Sequence, residues 1–561
     1  MELRASDLKF RLRPRIPVRE DILMIDIDDE SLERFGRWPW PRSVMARLVD
    51  SLARHGARNV FLDIEFIEPS RLLVSGSRDK ESINREIGRL EGDVDRLLTQ
   101  AFELVERGHS KETVLPSLTG ENGELKLRFK RLKELFDGVV EDPDQILVEA
   151  LKQAGTTYLT FHFTDPSEND EDDHFSPVGP ILSEIRQAGR TMLLRRFSIP
   201  RSQLGESPLV PATGDLVPVI PSLTEAARGA GFANASPDQD GTFRRLPLFL
   251  PDADRLVFQG AFLLALDLMG VAPGSLRFSG SQTLLLDREG APTVRVPLDR
   301  QGLFLINWTG GWKIFKHVSA GQLLLSDELA RHQWILLLEA DDGYLGGRLG
   351  QEARTPFSVT ALEQAKKIVI PALCELIERL REQRETSPCF KDNPELSARA
   401  AARFDTLKSV VATFEEIEAR RLSLRDNLRR IIAGNVCFVE LSASGTTDIG
   451  VTPFEEKYPM AGTHATILNS LLMESFLKET HPGWTWLASF IMALILGWTL
   501  PFLGSRAATG IAITLMLGYG LAGGLLFWKP GLMIGTVAPV VTVFLAYTLV
   551  TVYQRILTVK A

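Results

Sequence analysis

The 561-residue chain is poor in cysteine, with only Cys374, Cys389 and Cys437. Three scattered thiols exclude a disulfide framework and a paired-cysteine zinc knuckle. Cys437 lies in the apolar run NVCFVEL and reads as a core thiol, while a Cys374–Cys389 bridge would need an oxidising compartment. An excess of basic charge is also missing. The 64 Lys and Arg stand against 72 Asp and Glu, a net charge of -8 with a pI near 5.7, and this argues against a nucleic-acid partner. No Gly-x-Ser-x-Gly elbow, His-Glu-x-x-His pair or Walker A loop occurs. The opening MELRASDLKFRLRPRIP is charged from its second residue and holds no apolar segment of the signal-peptide kind.

Charge itself disappears at the other end. From Trp484 to Tyr553 the chain is nearly free of it and divides into three apolar runs, 484–503, 507–528 and 532–553. Each is about 20 residues, the length that crosses a hydrocarbon layer. Trp484, Trp486, Trp528 and Tyr553 stand at the run ends, where amphipathic rings favour the membrane interface. The short joints GSR and KPG allow only antiparallel hairpins. Three spans put the body and the C-terminus on opposite sides. Arg506, Arg555 and Lys560 on one side, against Lys478 and Lys529 on the other, assign the C-terminus to the cytoplasm.

The body reads as α/β. ILMIDID, SVMARLVDSLARHGA and NVFLDIEF give strand, helix and strand, and DQILVEALKQAGTTYLTFHF repeats helix, Gly155 and strand. Apolar strands without alternation, joined by helical crossovers, imply a parallel-rich sheet layered with helices on both faces. The strand NVCFVEL and the helix THATILNSLLMESFL complete it. Two helical, coiled-coil-like insertions, at about 71–140 and 340–430, interrupt the body. The first carries a heptad seam from Ile83 to Leu104. The second carries one through Leu407, Val410, Phe414, Ile417, Arg421, Leu424 and Leu428, with Arg421 as a polar break and Pro371 as a kink in the preceding helix. Such seams can pair two copies of the chain.

Asp26, Asp28 and Asp63 fall near the C-terminal ends of neighbouring parallel strands, the edge where open α/β sheets receive ligands. Carboxylates there can hold a divalent cation, act as acid and base, or anchor loops. Asp29 and Ser31 fit helix capping. The stiff loop Trp38-Pro39-Trp40-Pro41 can line a pocket or cover the sheet end. In GFANASPDQDGTFRRLPLF, Asn234, Asp238, Asp240 and Gly241 look like a fragment of a calcium loop, but Asp-Gly is also a hairpin signal. His162 and His464 have no ligand-spaced companion and read as structural.

Several stretches together resemble the second class of CHASE domain (CHASE type 2). They are DILMIDIDDESLERFGRWPWPRSVMARLVDSLARHGARNVFLDIEFIEP, EALKQAGTTYLTFHF, GFANASPDQDGTFRRLPLF, LFLINWTGG and NVCFVELSASGTTDIGVTPF with MAGTHATILNSLL. The resemblance covers about 1–70, 140–335 and 430–555. It implies an N-terminal span, an extracytoplasmic sensor, three further spans and a cytoplasmic output module, such as a nucleotide cyclase, histidine kinase, diguanylate cyclase or protein kinase. Here Met1 begins where the first span would end, no output module follows Ala561, and the insertions lie outside the common pattern. The chain is therefore expected to be the sensor and membrane portion of a bacterial receptor of the plasma membrane, with an adenylate or guanylate cyclase as the first choice of output. Residues 1–480 would be extracytoplasmic, 484–555 would span, and 556–561 would begin the cytoplasmic segment. Expected partners are the membrane, an extracytoplasmic ligand or protein, and a second copy. No catalytic residue and no cofactor is assigned, and the signal-sensing candidates are Asp26, Asp28, Asp63, Trp38 and Trp40. The competing readings are a membrane-anchored assembly protein using its insertions and a metal-assisted hydrolase at the acidic edge.

Overall fold

The computed structural model describes residues 1–71, 73–74, 140–164, 179–204, 214–350, 357–387, 393–445, 448–529 and 531–560, with positions 87, 99 and 389. Helix α1 (Glu2–Leu12) precedes a strand–helix–helix–strand unit: β1 (Ile22–Ile27), α2 (Asp29–Phe35), α3 (Arg42–Arg54) and β2 (Asn59–Glu65). Met45, Leu48, Val49 and Leu52 recur at helical spacing and are all buried, which holds α3 against the core. The unit repeats with α4 (Pro143–Ala154) and β3 (Thr157–Phe163). The Asp142 carboxylate caps the start of α4, and Gly155 ends it at φ 63°, a left-handed position that suits glycine.

There follow β4 (Leu216–Val217), β5 (Gly229–Phe232), α5 (Gly260–Leu268), β6 (Lys316–Ser319), α6 (Ala320–Ala340), α7 (Val359–Thr386), α8 (Pro394–Ile432), β7 (Val436–Leu441) and α9 (Ala461–Leu472). The sheet runs in the order β6–β1–β7–β2–β3–β5, all parallel, with β4 antiparallel on the end of β3. Its architecture is the α/β, parallel-rich one that the apolar strands imply. Helices α5 and α9 pack together over one face, where the His464 ring lies 4.9 Å from Phe61. Helices α3, α4 and α6 form the other helical layer. With both faces covered, β1 and β7 are buried along almost their whole length.

The second insertion is helical. α7 and α8 pack with the outer half of α6 around a separate core that includes Leu337, Leu362, Val369, Leu373, Leu407 and Phe414. Leu407, Phe414, Arg421 and Leu428, seven residues apart, are buried along α8, as is Ile432 at its end, and Arg421 is met by Glu418 and Glu363. The seam is thus spent within the chain. Of the seam expected in the first insertion only Ile87 is described, as helical; the rest lies outside the described residues.

Three helices, α10 (Pro482–Thr499), α11 (Ser505–Trp528) and α12 (Val537–Lys560), are long and apolar enough to cross a membrane. The third begins at Val537, not at 532. Leu532 and Met533 instead form a short parallel ribbon with Lys478 and Glu479. The Glu2 carboxylate then accepts the amides of Thr536 and Val537, at 2.7 and 2.8 Å, and so caps α12.

Candidate sensing site

Parallel pairing lines up the acids at the C-terminal end of the sheet. Asp26 of β1 stands opposite Glu440 of β7, and Leu62 of β2 opposite Val439, so Asp63 comes next along the row. Three of the carboxylates in this row have a histidine. His317 Nδ1 lies 3.0 Å from Asp26, His464 Nε2 lies 3.5 Å from Asp63, and His162 Nδ1 lies 2.7 Å from Glu65. The histidines come from β6, α9 and β3, so the row is a tertiary feature.

Glu440 differs from its neighbours. It is 1% exposed, and neither carboxylate oxygen meets a hydrogen-bond donor among the described residues. The Asp26 carboxylate and the His317 ring each bring an atom within 4.8 Å of it, and it can bond to Asp26 only if one of the two carboxyls holds a proton. Burial first, then the negative charges of Asp26, Asp63 and Asp448, push the Glu440 carboxyl well above the usual carboxylate range. Asp448 is exposed as a residue, but its carboxyl turns into the same region. Burial and the Asp63 charge raise it to about 6.

A cavity of about 540 Å³ opens beside this row, lined by Trp38, Trp40, Asp63, Glu65, Glu440 and Asp448 among others. The Trp-Pro loop forms one wall. Trp40 is buried and its indole N–H donates to the Gly36 carbonyl at 2.8 Å, while the Trp38 ring sits 6.2 Å from that of Trp40. The cavity thus pairs an aromatic wall with an acidic floor, a composition suited to a small cationic or hydrogen-bond-donating ligand. A second cavity, of about 510 Å³, lies at the opposite end of β3. Its polar groups Tyr158, Arg228 and Asp267 are bonded to one another.

Of the five residues singled out in the sequence, Asp63, Trp38 and Trp40 meet at the acidic cavity. Asp26 stands one strand away, against His317. Asp28 is turned elsewhere. It caps α2 by accepting from the Ser31 amide at 2.9 Å, and it accepts the Ser31 and Ser319 hydroxyls at 2.5 and 3.0 Å. Asp29 instead holds the Ser444 amide and hydroxyl, bonds that keep its own carboxyl below the usual range. Asp238 and Asp240 form no ion loop: both turn onto Arg244, which is buried. Glu440, His317 and Asp448 escaped sequence reasoning. Glu440 left one signal, as the only charge in the apolar strand NVCFVEL.

A family model described as the CHASE2 domain matches residues 1–504, the whole body and the first membrane helix. Neither a curated protein nor a solved structure matches the chain.

Proposed function

This chain belongs to the CHASE2 family, an extracellular sensor domain of signalling receptors, and on that premise we propose that it receives an extracytoplasmic signal in the acidic cavity and relays it through its three spans to a cytoplasmic module. The observation that carries the relay is the position of α1. On one side Asp7 takes two hydrogen bonds from Arg244 of the body, at 2.8 and 2.7 Å. On the other side Glu2 caps α12, Lys9 donates to the Ile534 carbonyl at 2.7 Å, and the Phe10 ring packs edge-on against Phe527 of α11 at 5.0 Å. One short helix therefore touches the body and two membrane helices. A shift of the body between two arrangements with different signal affinities has a path of direct contacts to the membrane helices.

In this reading residues 1–480 are outside, 484–555 cross the plasma membrane of a bacterium, and the C-terminus is cytoplasmic. The output is an adenylate or guanylate cyclase, the association that the family resemblance implies. Two native thiols test the orientation, because Cys374 and Cys389 are both exposed on the helical arm while Cys437 is buried. A membrane-impermeant maleimide added to intact spheroplasts is expected to label Cys374 and Cys389. A cysteine placed by Arg555→Cys is expected to react only after permeabilisation. Labelling of the arm only in lysed cells would put the body inside and sink the proposal.

A further inference from the structure

Asp26, His317 and Glu440 lie on three adjacent strands, β1, β6 and β7, and each offers a ligand atom within 4.8 Å of the other two. The His317 ring is oriented from both ends. Its Nε2 faces the Trp312 carbonyl at 3.2 Å, and its Nδ1 faces the Asp26 oxygens at 3.0 and 3.1 Å. The Trp312 ring holds the imidazole edge-on at 4.7 Å. An Nε2–H given to a backbone carbonyl leaves the Nδ1 lone pair pointing at the carboxylates, the outer-shell arrangement found around metal-bound histidines. Glu440 supplies the independent observation. It is 1% exposed, both of its oxygens lack a donor among the described residues, and it stands at the same point. Native proteins rarely leave a buried carboxylate so poorly served.

We propose that Asp26, His317 and Glu440 form a binding site for a divalent transition-metal ion, of which Zn²⁺ is the representative. One imidazole nitrogen with two carboxylate oxygens is a borderline donor set that suits zinc and its neighbours. Calcium and magnesium call for sets made wholly of oxygen. Glu440 also lines the 540 Å³ cavity. An ion held here ties the edge strand β6 through β1 to the central strand β7. The site is defined by binding alone and does not depend on the signalling role.

The test uses the full chain, purified in detergent and stripped with a chelator. Equilibrium dialysis and calorimetry with Zn²⁺ are expected to give one equivalent per chain. Glu440→Gln and His317→Gln are expected to weaken it by more than about tenfold, while Asp267→Asn, at the opposite end of β3, leaves it unchanged. Cooperative melting of the metal-free variants confirms that they fold. Should they fail to fold, zinc K-edge absorption of the unaltered chain reads the site directly, with a single imidazole and oxygen ligands expected. No saturable binding, undiminished binding in folded Glu440→Gln, or a zinc shell without imidazole overturns the proposal.

Discussion

Glu440 concentrates the physical chemistry of the site in one side chain. Burial and the charges of Asp26, Asp63 and Asp448 push this carboxyl toward its neutral form, since charge there is poorly solvated. Its folded pKa is raised above the unfolded value, so its contribution to stability is complete below about pH 4.5 and is lost as the pH climbs toward the raised value. Glu440→Gln keeps the shape and removes the ionisation. In the presence of chelator the variant should melt at the same temperature as the unaltered chain near pH 4 and at a higher one at pH 7 to 8; thermal scans in detergent measure it. A variant that melts lower at pH 8 contradicts this account. The row was partly legible in the sequence. Asp26 and Asp63 announced themselves by ending apolar strands, whereas Glu440, the lone charge in one, went unread. The capping role of Asp28 was not separable from ligand binding, because an aspartate after a strand serves both and only the geometry of Ser31 and Ser319 decides.

At the scale of elements, α1 depends on Arg244. Burial alone would lower the Arg244 pKa, but hydrogen bonds to Asp7, Asp240 and Asp238 outweigh it and raise it. Arg244→Ala leaves three carboxylates facing a buried gap and is expected to cost about 3–5 kcal/mol. It should also release α1, so hydrogen exchange over residues 2–12 accelerates while the sheet stays protected. Unchanged protection of α1 would mean that its contacts with the membrane helices suffice. The same cluster predicts acid lability. The bond from Arg244 holds Asp240 at about 2, below the ordinary aspartate value of 3.8, so its stabilisation is present above about pH 4 and is lost as the pH falls through about 2. Close packing also shows at α9, where Gly462 lies so near Tyr458 and Trp312 that a Cβ would fall 2.5 Å from the Tyr458 hydroxyl. The α8 seam shows the limit of pattern reading. Its seven-residue spacing was plain, but an apolar seam does not say whether it meets a second copy or its own chain. Here α6 and α7 fill it, so a homodimer would use another surface.

The whole molecule has distinct cores in the sheet body, the helical arm and the membrane bundle. Leu362 is fully buried in the arm, away from the sheet. Leu362→Ala should therefore remove about 2–5 kcal/mol from the arm alone. Limited proteolysis is expected to cut within residues 357–432 while the sheet body survives, and simultaneous loss of both would show that the cores are one cooperative unit. The sequence by itself determined the features that depend on neighbours along the chain. These are the three apolar spans, the strand–helix–strand units with their caps, and the helical character of the arm, because hydropathy, periodicity and capping act over a few residues. Tertiary structure alone decided which strands meet. β7, the last strand of the large sheet in chain order, inserts between β1 and β2, and this sets Glu440 between Asp26 and Asp63. It likewise brings His317 to Asp26 across 291 residues. Pairing between parallel strands so far apart is selected by the burial of the complete sheet, and no local pattern carries that information.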